Sequence, residues 1–222
     1  MLRLAVLALL LVGSACASGP ALPSTPPIER AERARYAADT TDGRFAQGSL
    51  RQQIVDVYNE QGNVAVSEYR NADGALQMRF VNTYTDGLKT RVDWRREDGS
   101  LALYVLNTYD AQDRLTESIQ YGPDGSLRRS FRNRWSDDGL RRETGPIPAA
   151  DEPFEPDSFF RLNALGEDVE LLEFPDVDSL RTTFTYDYPE RDAYENWTLR
   201  RTQRDGVPSQ IETRRLIYRS VR

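Results

Sequence analysis

The chain of 222 residues contains no histidine, one cysteine and one lysine. Without histidine, Ser-His-Asp catalysis, Cys-His catalysis and most zinc sites are excluded. A lone cysteine, Cys16, builds no disulfide framework. A Ser-Lys pair would need Lys89, which stands within a strand-like segment with no marked serine. Basic residues are outnumbered: 29 Lys and Arg against 35 Asp and Glu give a net charge of −6, with no excess for nucleic acid. Nearly all of the basic side is arginine, which codon bias explains before any need for bidentate anion binding. The EF-hand spacing and the glycine-rich calcium nonapeptide are both missing, so Asp110, Asp113, Asp137 and Asp138 read as turn residues and not as metal ligands. Acidic residues are numerous enough for a glycosidase-type pair, yet nothing singles out two of them. These absences lead us to expect a non-enzyme without metal or cofactor.

What is present is a repeated phrase. An aromatic residue, an Asp/Asn-rich turn usually carrying Gly, and a Leu or Val recur through residues 51–145. Tyr69 precedes Asp73-Gly74, Tyr84 precedes Asp86-Gly87, Trp94 precedes Asp98-Gly99, Tyr121 precedes Asp124-Gly125, and Trp135 precedes Asp138-Gly139. Asp113 takes the glycine place in one turn, which the left-handed tolerance of Asp permits. This is the spacing of short antiparallel strands joined by tight turns. Between turns the residues alternate. Leu76, Met78, Phe80 and Tyr84 oppose Gln77, Arg79 and Thr83, and Leu127, Phe131 and Trp135 oppose Arg128, Ser130, Arg132 and Arg134. Period two with one apolar side describes a sheet with one wet face. From Leu76 onward, five Leu-to-aromatic pairs are separated by even numbers of residues, which puts both members on one face; Val64 to Tyr69 is odd and predicts a bulge or frayed edge. The segment from Leu101 to Tyr109 is apolar on both parities and predicts a central strand whose outer side is covered.

The amino-terminal residues read as an address. Arg3, the apolar run Leu4 to Val12 and Gly13-Ser14-Ala15 form a secretory signal over residues 1–15, with a run too short to span a membrane. Val12-Gly13-Ser14-Ala15-Cys16 is similar to the bacterial lipobox, with Gly13 where Leu is usual. Cys16 is therefore the expected lipidation site, and Ala17 after it resembles outer-membrane sorting. Residues 16–48 are expected to form the lipidated tether and a short helix over Ile28 to Ala38. The hairpin array fills 49–144, a Pro-rich acidic connection 145–157, and a β segment 158–222 completes the same domain.

The phrase from Tyr58 to Gly139 resembles the YD-repeat (RHS-like) and related YwqK/MORN-variant hairpin-repeat proteins. Tyr186-Asp187-Tyr188 and Asp192-Ala193-Tyr194-Glu195-Asn196-Trp197-Thr198 resemble a phrase found near the end of exported members, with Glu195 where Gly is usual. The resemblance covers about two thirds of the chain and implies a hairpin-repeat fold, with no activity attached to it.

The expected fold is all-β: a meandering antiparallel sheet of hairpin repeats, curled or split into two packed sub-sheets, with the short helix at its start. Arg79, Lys89, Arg91, Arg128, Arg132 and Arg134 fall on the wet parity and are the candidate binding residues, for an envelope protein or an anionic glycan. The acidic connection could lie across them. The expected function is a membrane-tethered, non-catalytic interaction or scaffold lipoprotein of the cell envelope, at the outer membrane facing the periplasm or at the cell surface. Alternatives are a carrier of lipid or another hydrophobic ligand in a curled concavity and, more weakly, an acid-pair glycan hydrolase.

Overall fold

The structure, a computed structural model, describes residues 26–41, 44–149, 152–174 and 181–219. The expected signal segment, Cys16 and Ala17 lie outside the described residues. Fourteen strands follow one another: β1 (Ile28–Thr41), β2 (Arg44–Tyr58), β3 (Val64–Asn71), β4 (Leu76–Thr85), β5 (Leu88–Arg95), β6 (Leu101–Tyr109) and β7 (Leu115–Tyr121), then β8 (Leu127–Trp135), β9 (Arg141–Pro146), β10 (Ser158–Leu162), β11 (Asp168–Glu173), β12 (Thr182–Arg191), β13 (Trp197–Arg204) and β14 (Val207–Tyr218). Each pairs with its neighbours in the chain, and β1 pairs antiparallel with β14, so the sheet is a closed barrel.

Two expectations are overturned here. The sheet is neither curled open nor split, because closure alone removes both edges of so long a meander. The segment expected to be helical is β1. Its Glu, Arg and Ala residues have good helix propensity, but the open edges of β2 and β14 both claim its backbone. Its side chains also fit a strand: Ala31, Arg33 and Arg35 share one face and Glu32 and Ala34 the other, and Ala31 is fully buried.

The turns behave as the repeat predicts. Gly62, Gly74, Gly99, Gly125, Gly139 and Gly166 have φ between 70° and 86°, and Asp113 (60°) and Glu195 (63°) hold the same position without glycine. Asp86-Gly87 and Asp205-Gly206 are the two-residue turns with both φ positive. Turn carboxylates and amides cap backbone: Asp110 Oδ1 accepts from the amides of Gln112 and Arg114, and Asn163 Oδ1 from those of Leu165 and Glu167. These oxygens are occupied by turn chemistry.

Bulges set which way side chains point. The odd spacing of Val64 and Tyr69 coincides with a register shift opposite Val57 and Tyr58, and similar shifts recur at most hairpins. One lies between Thr83 and Tyr84 and pairs Tyr84 with Lys89, which turns Lys89 off the wet parity and onto the inner wall. The bulges also explain the aromatic at the end of alternate strands. Tyr84 Oη donates to the Val64 carbonyl, Tyr109 Oη to Lys89, Trp135 Nε1 to Leu115 and Tyr188 Oη to Asp168, each joining the end of one strand to the start of the strand before it, 20 residues back. A bulge leaves a carbonyl unpaired by the ladder, and the aromatic of a later strand satisfies it.

The inner wall is too wide to be filled with carbon. Fourteen strands spaced at about 4.8 Å and tilted by about 40° enclose a circle roughly 28 Å across. Among the described residues few inward-facing apolar side chains are buried, namely Ala31, Ile54 and Val105. The rest of the lumen mixes aromatics with a polar ladder in which Ser118 donates to Asn107 and Thr144 to Asn133.

Candidate functional site

The structure places the six residues read as a basic face in two different environments. Four arginines stand on the outer wall, each against a carboxylate: Arg79 with Glu68 (2.8 Å), Arg91 with Asp93 (2.6 Å), Arg132 with Glu117 (2.9 Å) and Arg134 with Glu143 (3.6 Å). Arg128 is exposed at the start of β8. Lys89 faces the lumen. The acidic connection does touch this wall, through Phe154, whose ring lies 4.7 Å beneath the Arg134 guanidinium. Arg161–Glu170 and Arg201–Asp187 continue the outer ladder. Partly exposed pairs of this kind stabilise little, about 0–1 kcal/mol each, but they cancel the positive field that a basic face would need.

The same ladder bears on membranes. A lipid-facing barrel needs an apolar outer band roughly 25 Å tall. Here carboxylates and guanidiniums alternate across the middle of the outer wall. No helix among the described residues is long and apolar enough to cross a bilayer.

The unbalanced charge is inside. On β1 and β2, Arg33 Nε lies 2.9 Å from Asp56 Oδ2, and Ser67 Oγ donates to Asp56 at 2.6 Å. On β14, Glu212 is 1% exposed and receives Arg35 Nε at 2.9 Å, Arg200 at 2.8 Å and Arg33 at 3.4 Å. This cluster ties β13, β14, β1, β2 and β3 together across the seam that closes the barrel. Burial alone would raise the Glu212 pKa; the charges of Arg200, Arg35 and Arg33 outweigh it and hold the carboxyl below its usual value. A carboxyl so held is unsuited to be the general acid of an acid-pair hydrolase, which requires the opposite shift.

Beside the seam lies a lumenal pocket of about 440 Å³, lined among others by Tyr69, Phe80, Asn82, Lys89, Trp197 and Arg214. It is bounded by β5 on one side and β13 on the other, so it spans the concave inner wall. Lys89 is accessible to the water of the lumen yet enclosed by the wall, and that loss of solvation lowers its pKa against the pull of Asp56. Arg214 lies 5.0 Å from the Trp197 ring centroid and donates to Tyr58 Oη at 3.1 Å. Its buried Nε has no partner among the described residues. Elsewhere on the inner wall Arg142 is held against Phe160 (4.0 Å) and Trp135 (5.4 Å), its pKa lowered by burial despite the charge of Asp168.

Sequence reasoning missed Arg33, Arg35, Asp56, Arg200, Glu212 and Arg214. The available signal was charge on the parity of buried residues, as in Glu212, Arg214 and Leu216, but the helical reading of β1 concealed its complement.

The protein is an all-β hairpin-repeat barrel. Neither a family model nor a curated protein matches the sequence. Solved structures with some likeness include a porin-like protein from Bacteroides uniformis, at 15% identity over 90% of this chain and 100% of that one, with a TM-score of 0.45. Another is the TcdB2-TccC3-Cdc42 structure, at 12% identity over 80% of this chain and 11% of that one, with a TM-score of 0.27. Neither likeness is strong enough to carry an argument about this chain.

Proposed function

We propose that the protein is a lipid-tethered, non-catalytic binding protein of the cell envelope, with its barrel in the aqueous phase and its ligand in the lumen. One observation carries this reading: the outer arginines are paired with carboxylates, whereas uncompensated cations and a pocket coincide on the inner wall. The lipobox-like sequence at Cys16 supports the tether, and the Asp-Gly hairpin phrase supports kinship with exported YD-repeat and YwqK/MORN-variant proteins. Lumenal guanidiniums and carboxylates disfavour a purely aliphatic cargo, because burying charge against hydrocarbon is costly. Native mass spectrometry of the purified protein tests the reading. A discrete small-molecule adduct, lost on unfolding, is the expected result. A bare chain mass that persists after incubation with envelope extract would count against it.

A second reading, docking to another envelope protein, is favoured by one feature of the outer wall. Tyr104 stacks on Tyr121 at 5.2 Å, Arg91 lies 4.2 Å over Tyr104, and neighbouring Leu106 is 40% exposed, so the cover expected over β6 does not reach it. Leu106→Glu should abolish cross-linking to a partner if this patch is the contact; undiminished cross-linking would dismiss it.

A further inference from the structure

We propose that the lumenal pocket between β5 and β13 binds a small organic anion carried on a flat ring, with Lys89 and Arg214 meeting the anionic group and Trp197, Phe80 and Tyr69 meeting the ring. This deepens the reading of the lumen as the binding surface by naming the ligand's chemistry.

The charge balance is the first support. Arg33, Arg35, Arg200, Arg214 and Lys89 surround only two carboxylates, Asp56 and Glu212, and both carboxylates are engaged by Arg33, Arg35 and Arg200. Lys89 and Arg214 have no ion pair among the described residues, and both line the same pocket. Lys89 is open to lumenal water and Arg214 is half-buried, so an anion entering the pocket meets two positive charges that no carboxylate neutralises. The second support is the buried Nε of Arg214, which lacks a hydrogen-bond partner as do those of Arg33, Arg142 and Arg200, but which, unlike Arg33 and Arg200, belongs to a side chain with no carboxylate beside it. The third is the aromatic wall. Phe80 packs against Tyr69 (4.6 Å) and Trp94 (4.8 Å), which fixes its ring, and Trp197 is braced by Tyr188 (6.1 Å) and by Arg214. A volume of about 440 Å³ suits a ligand of one or two rings. Asn82 also reaches the pocket, but its amide already donates to the Val64 carbonyl at 2.6 Å, so the anion depends on the two cations.

The sole lysine of the chain lies in the proposed site and provides the probe. Reductive ¹³C-methylation of the purified protein retains the charge and labels Lys89 and the α-amine, if free. The label is followed while 2-naphthoate, its neutral counterpart 2-naphthamide, or inorganic phosphate is added, with calorimetry in parallel. Naphthoate should move the Lys89 signal saturably and bind at least about tenfold more tightly than the amide, the worth of one charge-assisted contact. Lys89→Gln, and independently Arg214→Gln, should each bring naphthoate binding down towards that of the amide measured on the same variant. Lys89→Gln keeps the test open if the β14 variant fails to fold. Equal binding of naphthoate and naphthamide would overturn the anion site while sparing the lumen as a binding surface. Binding of neither would sink both, and tighter binding of phosphate than naphthoate would overturn the role of the ring.

Discussion

Replacing Glu212 by Gln keeps the shape of the side chain and removes the charge that three arginines share. Glu212 is 1% exposed, and its partners Arg33, Arg35 and Arg200 are 19%, 27% and 22% exposed, so all four members are largely withdrawn from bulk water. Breaking a buried ion cluster by deleting one partner costs about 3–5 kcal/mol, chiefly because the remaining charges stay desolvated. Here the arginines can turn towards lumenal water, which puts the expected loss near the lower end, about 3 kcal/mol. For a chain of this size that lowers the melting temperature by about 6–12 °C. The sign of the pH dependence follows from the lowered pKa. The Glu212 contribution is complete above the unfolded-state value of about 4.3 and disappears as pH falls through the lower folded value. Thermal melts of wild type and Glu212→Gln should therefore differ most at pH 7 and converge towards pH 3. Working with the difference removes the other carboxyls held low, among them Glu68, Glu167 and Asp192. A variant melting within about 2 °C of wild type at pH 7, or a gap that does not close on acidification, would refute the seam as an electrostatic closure.

Glu195 holds a left-handed backbone at φ 63° where the repeat ordinarily supplies glycine, so Glu195→Gly should stabilise by about 0.5–1 kcal/mol, read as a higher urea midpoint. Tyr109→Phe deletes the hydroxyl that donates to the Lys89 carbonyl at 2.9 Å; because Asn107 donates to the same oxygen, the loss should be about 0.5–1 kcal/mol in urea melts. Trp135→Phe removes the donor to Leu115 and should cost more than Tyr109→Phe, since ring volume is lost together with the bond. Cys16→Ser should move the protein from the membrane fraction to the soluble envelope fraction and abolish acyl labelling; retention through carbonate washing would contradict a lipid tether.

Local chemistry was legible in this sequence where one residue type decides the backbone. Glycine or Asp at positive φ fixes a hairpin whatever surrounds it, which is why the turns from Gly62 to Gly139 were readable. Closure was not readable, because pairing between β1 and β14 joins residues more than 170 positions apart and leaves no local trace. Segment 28–38 shows the conflict directly: its residues favour a helix one by one, and only the waiting edge of β14 makes Arg33 and Arg35 useful in a strand. Parity failed at Lys89 for a different reason. A single-residue bulge reverses every side chain beyond it, and the bulge before Tyr84 has no distinctive composition. The outer arginines were recognisable as solvent-facing, but each partner sits on the adjacent strand or two residues along, so their neutralisation depended on a register that alternation alone does not give.

The width of the barrel connects these features. A fourteen-stranded wall encloses more space than its own side chains can fill, so the inner face cannot be an ordinary apolar core and must satisfy its polar groups one by one. Tyr84, Tyr109 and Trp135 do this for bulge carbonyls, and Glu212 and Asp56 do it for three arginines. Lys89, Arg142 and Arg214 are left without a carboxylate; Arg142 lies against the Phe160 and Trp135 rings, whereas Lys89 and Arg214 share a pocket that an anion could enter. Lys89→Met should therefore stabilise the ligand-free barrel, and the gain should shrink as pH rises through the lowered lysine pKa and the wild-type cation is lost. Saturating 2-naphthoate should favour the wild type instead. At a hundredfold excess over Kd it adds about 2.7 kcal/mol to wild type, or roughly 5–11 °C in melting temperature, and far less to Lys89→Met. Were the methionine variant less stable than wild type and equally protected by naphthoate, the lysine would be an ordinary solvated side chain, and the lumen would have to owe its charge to structure alone.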